Sequence, residues 1–444
     1  MNIQLSEHFT YRKLLRFILP SVIMMVFTSI YSVVDGIFVS NFVGKSAFAS
    51  VNLIMPYLMG ISALGFMIGT GGSAFVSKTL GEGKKELADQ YFSMLVTITA
   101  TGGLILSVLS FVFMRQIVVV FGASGELIGY CTLYGRISCI SMTAFMLQNV
   151  FQSFFVAAGK PQLGLKVIVA AGCTNIVLDA VFIAGLRLGI AGAALATMTS
   201  EFIGGLLPVI YFLRKNNSSL LHFVKPVFDG RVFLKTCANG SSELMTNLSM
   251  SVVNALYNLQ LMKLSGENGV AAYGAVMYVN FIFVATFLGY SIGCAPVISY
   301  HYGAGNHAEL KNLYRKSLSI ILSWGILLFA AAQLLAPVLS KIFVGYNADL
   351  YAITLHGFRV YAIAFLIIGI NIFGSSFFTA LNNGLISAVI SFLRTLVFQI
   401  IMVLTLPVLF GINGIWCAIS VAEALTLIIT ITFFIRQKKR YHYL

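Results

Sequence analysis

The chain is expected to be an all-α integral membrane protein, with twelve transmembrane helices in two six-helix lobes related by pseudo-twofold symmetry along the membrane normal. Three observations lead there. Apolar runs of about 20 residues or longer recur along the sequence, the length a helix needs to cross roughly 30 Å of hydrocarbon at 1.5 Å per residue. The composition is 59% hydrophobic and only 9% charged, which excludes a soluble globular domain. Short motifs recur half a chain apart, and the ten-residue polar/apolar alternation of an outer-membrane barrel is absent.

Taken in order, the apolar runs lie at 14–43, 48–77, 91–119, 127–158, 163–186, 190–213, 236–264, 270–300, 313–343, 352–381, 385–409 and 413–435. The first begins at Leu14 and continues past Phe42 with no small-residue cleavage site, so it reads as a spanning helix and not a signal peptide. The breaks carry turn chemistry: Gly81-Glu82-Gly83-Lys84-Lys85, Gly159-Lys160-Pro161, Gly303-Ala304-Gly305-Asn306 and Asn382-Asn383-Gly384. Twelve spans put both termini on one side. Twenty of the 28 Lys and Arg fall on that side, among them Arg12, Lys84, Lys215 and Arg436, against seven on the other. The excess predicts cytoplasmic termini and a bacterial cytoplasmic-membrane location. The longest polar stretch, Lys215 to Lys235, divides the chain into an N-terminal lobe (1–218), a cytoplasmic linker (219–235) and a C-terminal lobe (236–444).

The lobes resemble each other. Gly81-Glu82-Gly83 matches Gly303-Ala304-Gly305, Gly189-Ile190-Ala191-Gly192 matches Gly411-Ile412-Asn413-Gly414, and Glu201 matches Glu423. An even number of spans per lobe makes the repeat parallel, as in several transporter folds that bind substrate between lobes. Six spans contain a proline (Pro20, Pro56, Pro208, Pro296, Pro337 and Pro407), each able to kink its helix. The formal charge of +14 does not point to nucleic acid, because Lys and Arg flank the apolar runs instead of lining one face. The six cysteines show no CxxC or metal-ligand spacing and read as buried structural thiols.

Against this apolar background five of the 14 acids stand out: Asp35, Asp179, Glu201, Glu243 and Glu423 lie within spans. A charge at mid-membrane costs about 2.5–3.5 kcal/mol even on lenient scales, so such residues mark ion or substrate paths. Tyr31 and Asp35, Asn175 and Asp179, and Thr197 and Glu201 each share a helix face at i, i+4. Two acids with amide and hydroxyl oxygens nearby can share a proton or hold a small hard cation. Structural alternatives stay open for several of them. Asp179 can reach toward Arg187, Glu243 can cap its helix beside Ser241 and Ser242, Glu201 and Glu423 can hydrogen-bond within their own lobes, and Arg394 can neutralise Glu423.

These residues carry a family resemblance. Val33-Val34-Asp35-Gly36, Asn175-x3-Asp179, Gly189-Ile190-x-Gly192-Ala193-Ala194-x-Ala196-Thr197 and Gly303-Ala304-Gly305 resemble the multidrug and toxic compound extrusion family, bacterial branch, over nearly the whole chain. The resemblance implies a monomeric V-shaped antiporter that expels organic, often cationic, compounds in exchange for H⁺ or Na⁺, with no cofactor and with small organic substrates and membrane lipids as its partners. It implies an ion-coupling set of Asp35, Asn175, Asp179 and Thr197, with Tyr31, Tyr134 and Gln152 in the same cavity. Glu201, Glu243, Glu423 and Arg394 are further cavity candidates. The second lobe departs from one branch of the family, since the span at 352–381 has no acid and Tyr257 stands at the repeat position of Asp35.

Two rivals remain at this stage. A flippase for lipid-linked saccharides, from the same superfamily, usually carries more basic residues in its central cavity, whereas Arg394 is the only one clearly inside a span here. A membrane-embedded transferase needs an acid cluster of the DDxxD type or a membrane histidine, and no such acid pair is present.

Overall fold

The computed structural model describes residues 4–214 and 218–444, so Lys215 at the head of the polar stretch lies outside the described residues. Those residues are helical with no strand among them. Eleven helices are long and apolar enough to cross a membrane. In the first half they are α1 (Tyr11–Val43), α2 (Lys45–Gly81), α3 (Lys85–Val120), α4 (Glu126–Ala157), α5 (Pro161–Gly185) and α6 (Gly189–Leu213). In the second half they are α7 (Gly230–Gly303), α8 (His307–Val344), α9 (Ala348–Ala380), α10 (Gly384–Phe410) and α11 (Ile412–Tyr441). Their outward faces are apolar, for example Leu104, Ile105, Val108 and Val112 on α3, as lipid contact requires. The chain is a multi-pass membrane protein.

The helices start where side chains satisfy the free N–H groups of a first turn. Thr10 accepts from Lys13 N, Asp229 from Arg231 N and Val232 N, Asn306 from Glu309 N, and Asn347 from Asp349 N and Leu350 N. Pro161 opens α5, where its missing N–H costs nothing. All six span prolines lie inside helices.

The runs expected at 236–264 and 270–300 are joined in α7, a 74-residue helix with one non-helical residue, Gly266 (φ 59°, ψ −148°). Its two arms lie side by side. Tyr257 and Tyr273 stack at 5.0 Å, and the Tyr273 hydroxyl donates to Asn254 at 3.0 Å. In a straight helix residues 16 apart would sit about 24 Å from each other. Gly266 is therefore a hairpin tip, and it stands 222 residues after Gly44 (φ 107°), the reversal between α1 and α2. Gly83 and Gly305, and Gly189 and Gly411, are further left-handed turn residues at the same separation. The helix also begins at Gly230, so residues 230–235 of the expected linker are helical and Asp229 caps them. Glu243 consequently lies three turns inside α7 and does not cap it, contrary to the capping alternative.

Three hydrophobic clusters organise the interior. One brings together α2, α3, α4 and Phe212 of α6, one gathers the outer ends of the first-half helices, and one extends through the second half. The halves meet along α2, α1 and α7. The seam is made of glycines that bring backbone against backbone. A Cβ placed on Gly81 would lie 2.0 Å from the Tyr300 carbonyl oxygen, and one on Gly303 would lie 2.0 Å from that of Lys78. Gly71 meets Thr236 O at 2.2 Å and Gly240 meets Met67 O at 1.9 Å. Gly289 admits the α1 backbone at Val22 in the same way, and Gly293 admits the Ile18 side chain. Gly240→Val should therefore lower stability by roughly 1–3 kcal/mol, the usual effect of overpacking. Gly36→Ala, with no atom within 4 Å of the added methyl, is the neutral control. Thermal unfolding in detergent reads the difference, and equal midpoints for the two variants would contradict this packing.

Candidate functional site

Helices α1, α4, α5 and α6 converge on a cluster of buried acids and polar oxygens in the first half, and the sequence explains how each reaches it. Gly172 lets α5 press against α1, since a Cβ there would lie 2.5 Å from the Phe27 ring and 2.7 Å from the Tyr31 ring. One and two turns further along the same face of α5 stand Asn175 and Asp179, both buried. Tyr134, Ser141 and Gln148 follow one another at seven-residue steps and so share one face of α4.

Asp35 on α1 and Asp179 on α5 face each other at hydrogen-bonding range. Asp179 is fully buried, and no protein donor reaches either of its carboxylate oxygens. Asp35 Oδ1, Asn175 Oδ1 and Thr197 Oγ1 are likewise buried without a partner. Glu201 on α6 accepts a 2.5 Å hydrogen bond from Ser141 and lies within electrostatic reach of Asp35. Tyr134 faces Thr197 and feels Asp35, Glu201 and Asp179, while Tyr31 faces the amide of Gln148. The charged groups that act appreciably on these three acids are other carboxylates, and Arg187 is not among them. Buried acids without donors or countercharge need a proton or a cation. Carboxylate, amide and hydroxyl oxygens are the donor set that suits a small hard cation.

The helices are irregular beside the acids. A π-helical turn, Val39–Val43, follows Asp35 by one turn, and another, Ala180–Gly185, begins immediately after Asp179. The two turns touch. Such turns concentrate at functional sites because they release backbone carbonyls and re-aim side chains.

The second half is arranged differently. Arg394 Nε donates to Glu423 Oε1 at 2.8 Å, and Asn371 Nδ2 donates to Glu423 Oε2 at 2.7 Å. Asn371 is held in turn by Thr430 at 3.0 Å. Glu423 is thus committed to an ion pair, the structural alternative its sequence left open. Glu243 senses Arg394. Tyr257, at the repeat position of Asp35, donates to Gln399 at 3.0 Å and stacks on Tyr273. Gln152 lines a narrow crevice with Met24, Phe151 and Phe155, apart from the acids. Gln148 and Ser141 were not anticipated, although their seven-residue step from Tyr134 was a readable signal. Cys173 is exposed, which corrects the expectation of buried thiols at that position; Cys131, Cys139 and Cys294 are buried.

A helical membrane protein with a cluster of buried acids and unpartnered oxygens in one half is the class that fold and site define. The MatE family model matches residues 20–181 and again 244–405. The chain belongs to the MatE family, the multidrug and toxic compound extrusion proteins. It is 26% identical to the multidrug export protein MepA of Staphylococcus haemolyticus over 94% of this chain and 92% of that one. Identity to MepA of Staphylococcus aureus strain MRSA252 is 23%, over 94% and 91%. A crystal structure of MATE in complex with MaL6 superimposes with a TM-score of 0.91 at 23% identity over 98% of both chains. An outward-facing multidrug resistance MATE family transporter of the MOP superfamily gives 0.88 at 24%, again over 98% of both.

The second-half ion pair yields a stability test. Arg394→Met leaves Glu423 buried and uncompensated, and should cost about 3–5 kcal/mol. Adding Glu423→Met should restore most of that loss, because the lone charge is then gone. Unfolding midpoints of the four proteins in the cycle check this, and additive losses would argue against a direct pair.

Proposed function

We propose that this chain is a secondary active multidrug exporter. It expels organic, chiefly cationic, compounds across the bacterial cytoplasmic membrane in exchange for H⁺ or Na⁺, and it works as a monomer by alternating access between two lobes. The observation that carries the reading is the Asp35–Asp179 pair, two facing carboxylates buried among unpartnered oxygens and remote from any basic side chain that acts on them. Only a cation that comes and goes gives such a pair a use worth its cost.

Several features support the two-lobe part. The family model matches twice, the left-handed turn glycines recur 222 residues apart, and the seam contacts exchange partners under the same shift, Gly81 on Tyr300 and Gly303 on Lys78. Counting the arms of α7 separately makes twelve crossings, which supports a reading with both termini on the Lys- and Arg-rich side, taken as cytoplasmic. The relatives named as multidrug export proteins support efflux over enzymatic work. The flippase rival is disfavoured because Arg394, a basic residue largely buried in the second half, is tied to Glu423 and not free to hold an anionic headgroup.

In the cycle, a proton or Na⁺ from outside reaches Asp35 and Asp179 and reduces their joint charge. Their contacts rearrange, α1 bends, and bound organic cation loses its attraction and leaves. Release of the ion inward restores the charge. Membrane potential adds about 2.3 kcal/mol per charge per 100 mV, enough to bias such an exchange.

Asp35→Asn should reduce ethidium efflux from cells to the empty-vector level while leaving the protein inserted and its unfolding midpoint within a few degrees of the parent. Full efflux by that variant would overturn the assignment. In proteoliposomes, a pH gradient or a Na⁺ gradient imposed alone should drive uptake of an organic cation. Uptake that ignores both gradients would exclude antiport.

A further inference from the structure

The segment before α1 belongs covalently to the first half but is bound by the second. Leu5 and Phe9 are buried within the second-half core, and the Phe9 ring stands edge-on to His301 at the end of α7. The Glu309 carboxylate, in the first turn of α8, takes a contact on each oxygen from this segment. Its Oε1 accepts from Phe9 N at 2.9 Å and from Asn312 Nδ2 at 2.8 Å, and its Oε2 lies 2.5 Å from His8 Nδ1. The Phe9 carbonyl accepts from Asn312 Nδ2 at 3.0 Å and from Lys316 Nζ at 2.6 Å.

The segment before α7 does the reverse. Leu221 and Phe223 enter the first-half core, with Phe223 5.0 Å from Phe92. His222 N donates to Asp89 Oδ1 at 2.9 Å, and Val224 N donates to Ser93 Oγ at 2.9 Å. Leu220 N donates to Ala158 O at 3.2 Å. Asp89 stands near the start of α3, as Glu309 stands near the start of α8. Each half therefore has its lead-in strapped to the third crossing of the other, at the end of the bundle where Gly81 meets Gly303.

We propose that residues Leu5–Thr10, and in the same manner Leu220–Asp229, are detachable inter-lobe latches that hold this face of the transporter shut and must peel away for it to open. The inference rests on the alternating-access reading for its role, and on the contacts above for its geometry. The halves cannot part here while both straps stay seated, because parting would pull Phe9 and Leu5 out of the core and strip Glu309 of its contacts with Phe9 N and His8. Buried groups left in that condition are costly. Tyrosine, lysine and glutamate contacts around the first strap (Lys316 over Tyr11, and Lys13 to Glu7 at 2.8 Å) anchor its hinge at the start of α1.

Two experiments on the full chain test this. In proteoliposomes, His8→Cys/Glu309→Cys should support organic-cation transport when reduced, lose it when the thiols are oxidised to a disulfide, and regain it on addition of reductant. Undiminished transport by the cross-linked protein would overturn the latch while leaving the antiport reading intact. The second test does not depend on transport. Cys237, half-buried beside Thr236 at the seam, is kept while the other five cysteines are replaced by serine. Phe9→Ala should then speed alkylation of Cys237 by an impermeant maleimide severalfold, since the weakened strap admits the opened state more often. An unchanged rate would refute the latch, whether or not the protein transports the compound tested.

Discussion

Two carboxylates that face each other inside an apolar helical bundle, with no base to answer them, are the constraint around which this molecule is arranged. Such a pair is unfavourable in a low dielectric unless something cationic is between or upon it. Every nearby irregularity follows from placing it: the close approach of α5 to α1 at Gly172, the π-helical turns beside Asp35 and Asp179, and the oxygen-bearing face of α4. The chain tolerates the pair because the surrounding helices are otherwise well packed, with aromatic rings stacked around Phe92, Phe151 and Phe212.

The two halves show how one architecture can carry opposite electrostatics. The second half neutralises its buried acid internally, through Arg394 and Asn371, and puts a tyrosine hydrogen-bonded to Gln399 where the first half has Asp35. An ion that paired with Glu423 would have to displace a guanidinium already in place. The first half offers its oxygens to whatever arrives. The difference comes down to a handful of side chains: an arginine and an amide bonded to Glu423 in one half, and no such partner on Asp35 Oδ1 or on either Asp179 oxygen in the other.

Much of this was legible beforehand. Span positions follow from hydropathy because lipid forbids unsatisfied backbone, and the structure ends its helices within a few residues of the expected breaks. Asp35, Asn175, Asp179 and Thr197 could be grouped from i, i+4 spacing and a family resemblance, and Arg394 could be suspected of answering Glu423. What escaped was tertiary. Residues 230–235 look like polar linker until Asp229 caps them. The reversal at Gly266, by contrast, falls in the expected break between 264 and 270, and the stacked Tyr257 and Tyr273 bear it out. The cross-strapping of the lead-in segments depends on contacts 133 and 301 residues apart, His222 with Asp89 and His8 with Glu309, which no local pattern encodes.

The glycine seam carries a mechanical consequence. At Gly71, Gly81, Gly240 and Gly303 main chain lies directly on main chain, so no rotamer has to unlock there for the two surfaces to slide. Along α1 the fit is of another kind, with the Ile18 side chain set against Gly293 and Phe17 packed in the second-half core. The boundary is thus smooth at one end and toothed along α1, and a single added methyl on the bare stretch is enough to spoil the fit.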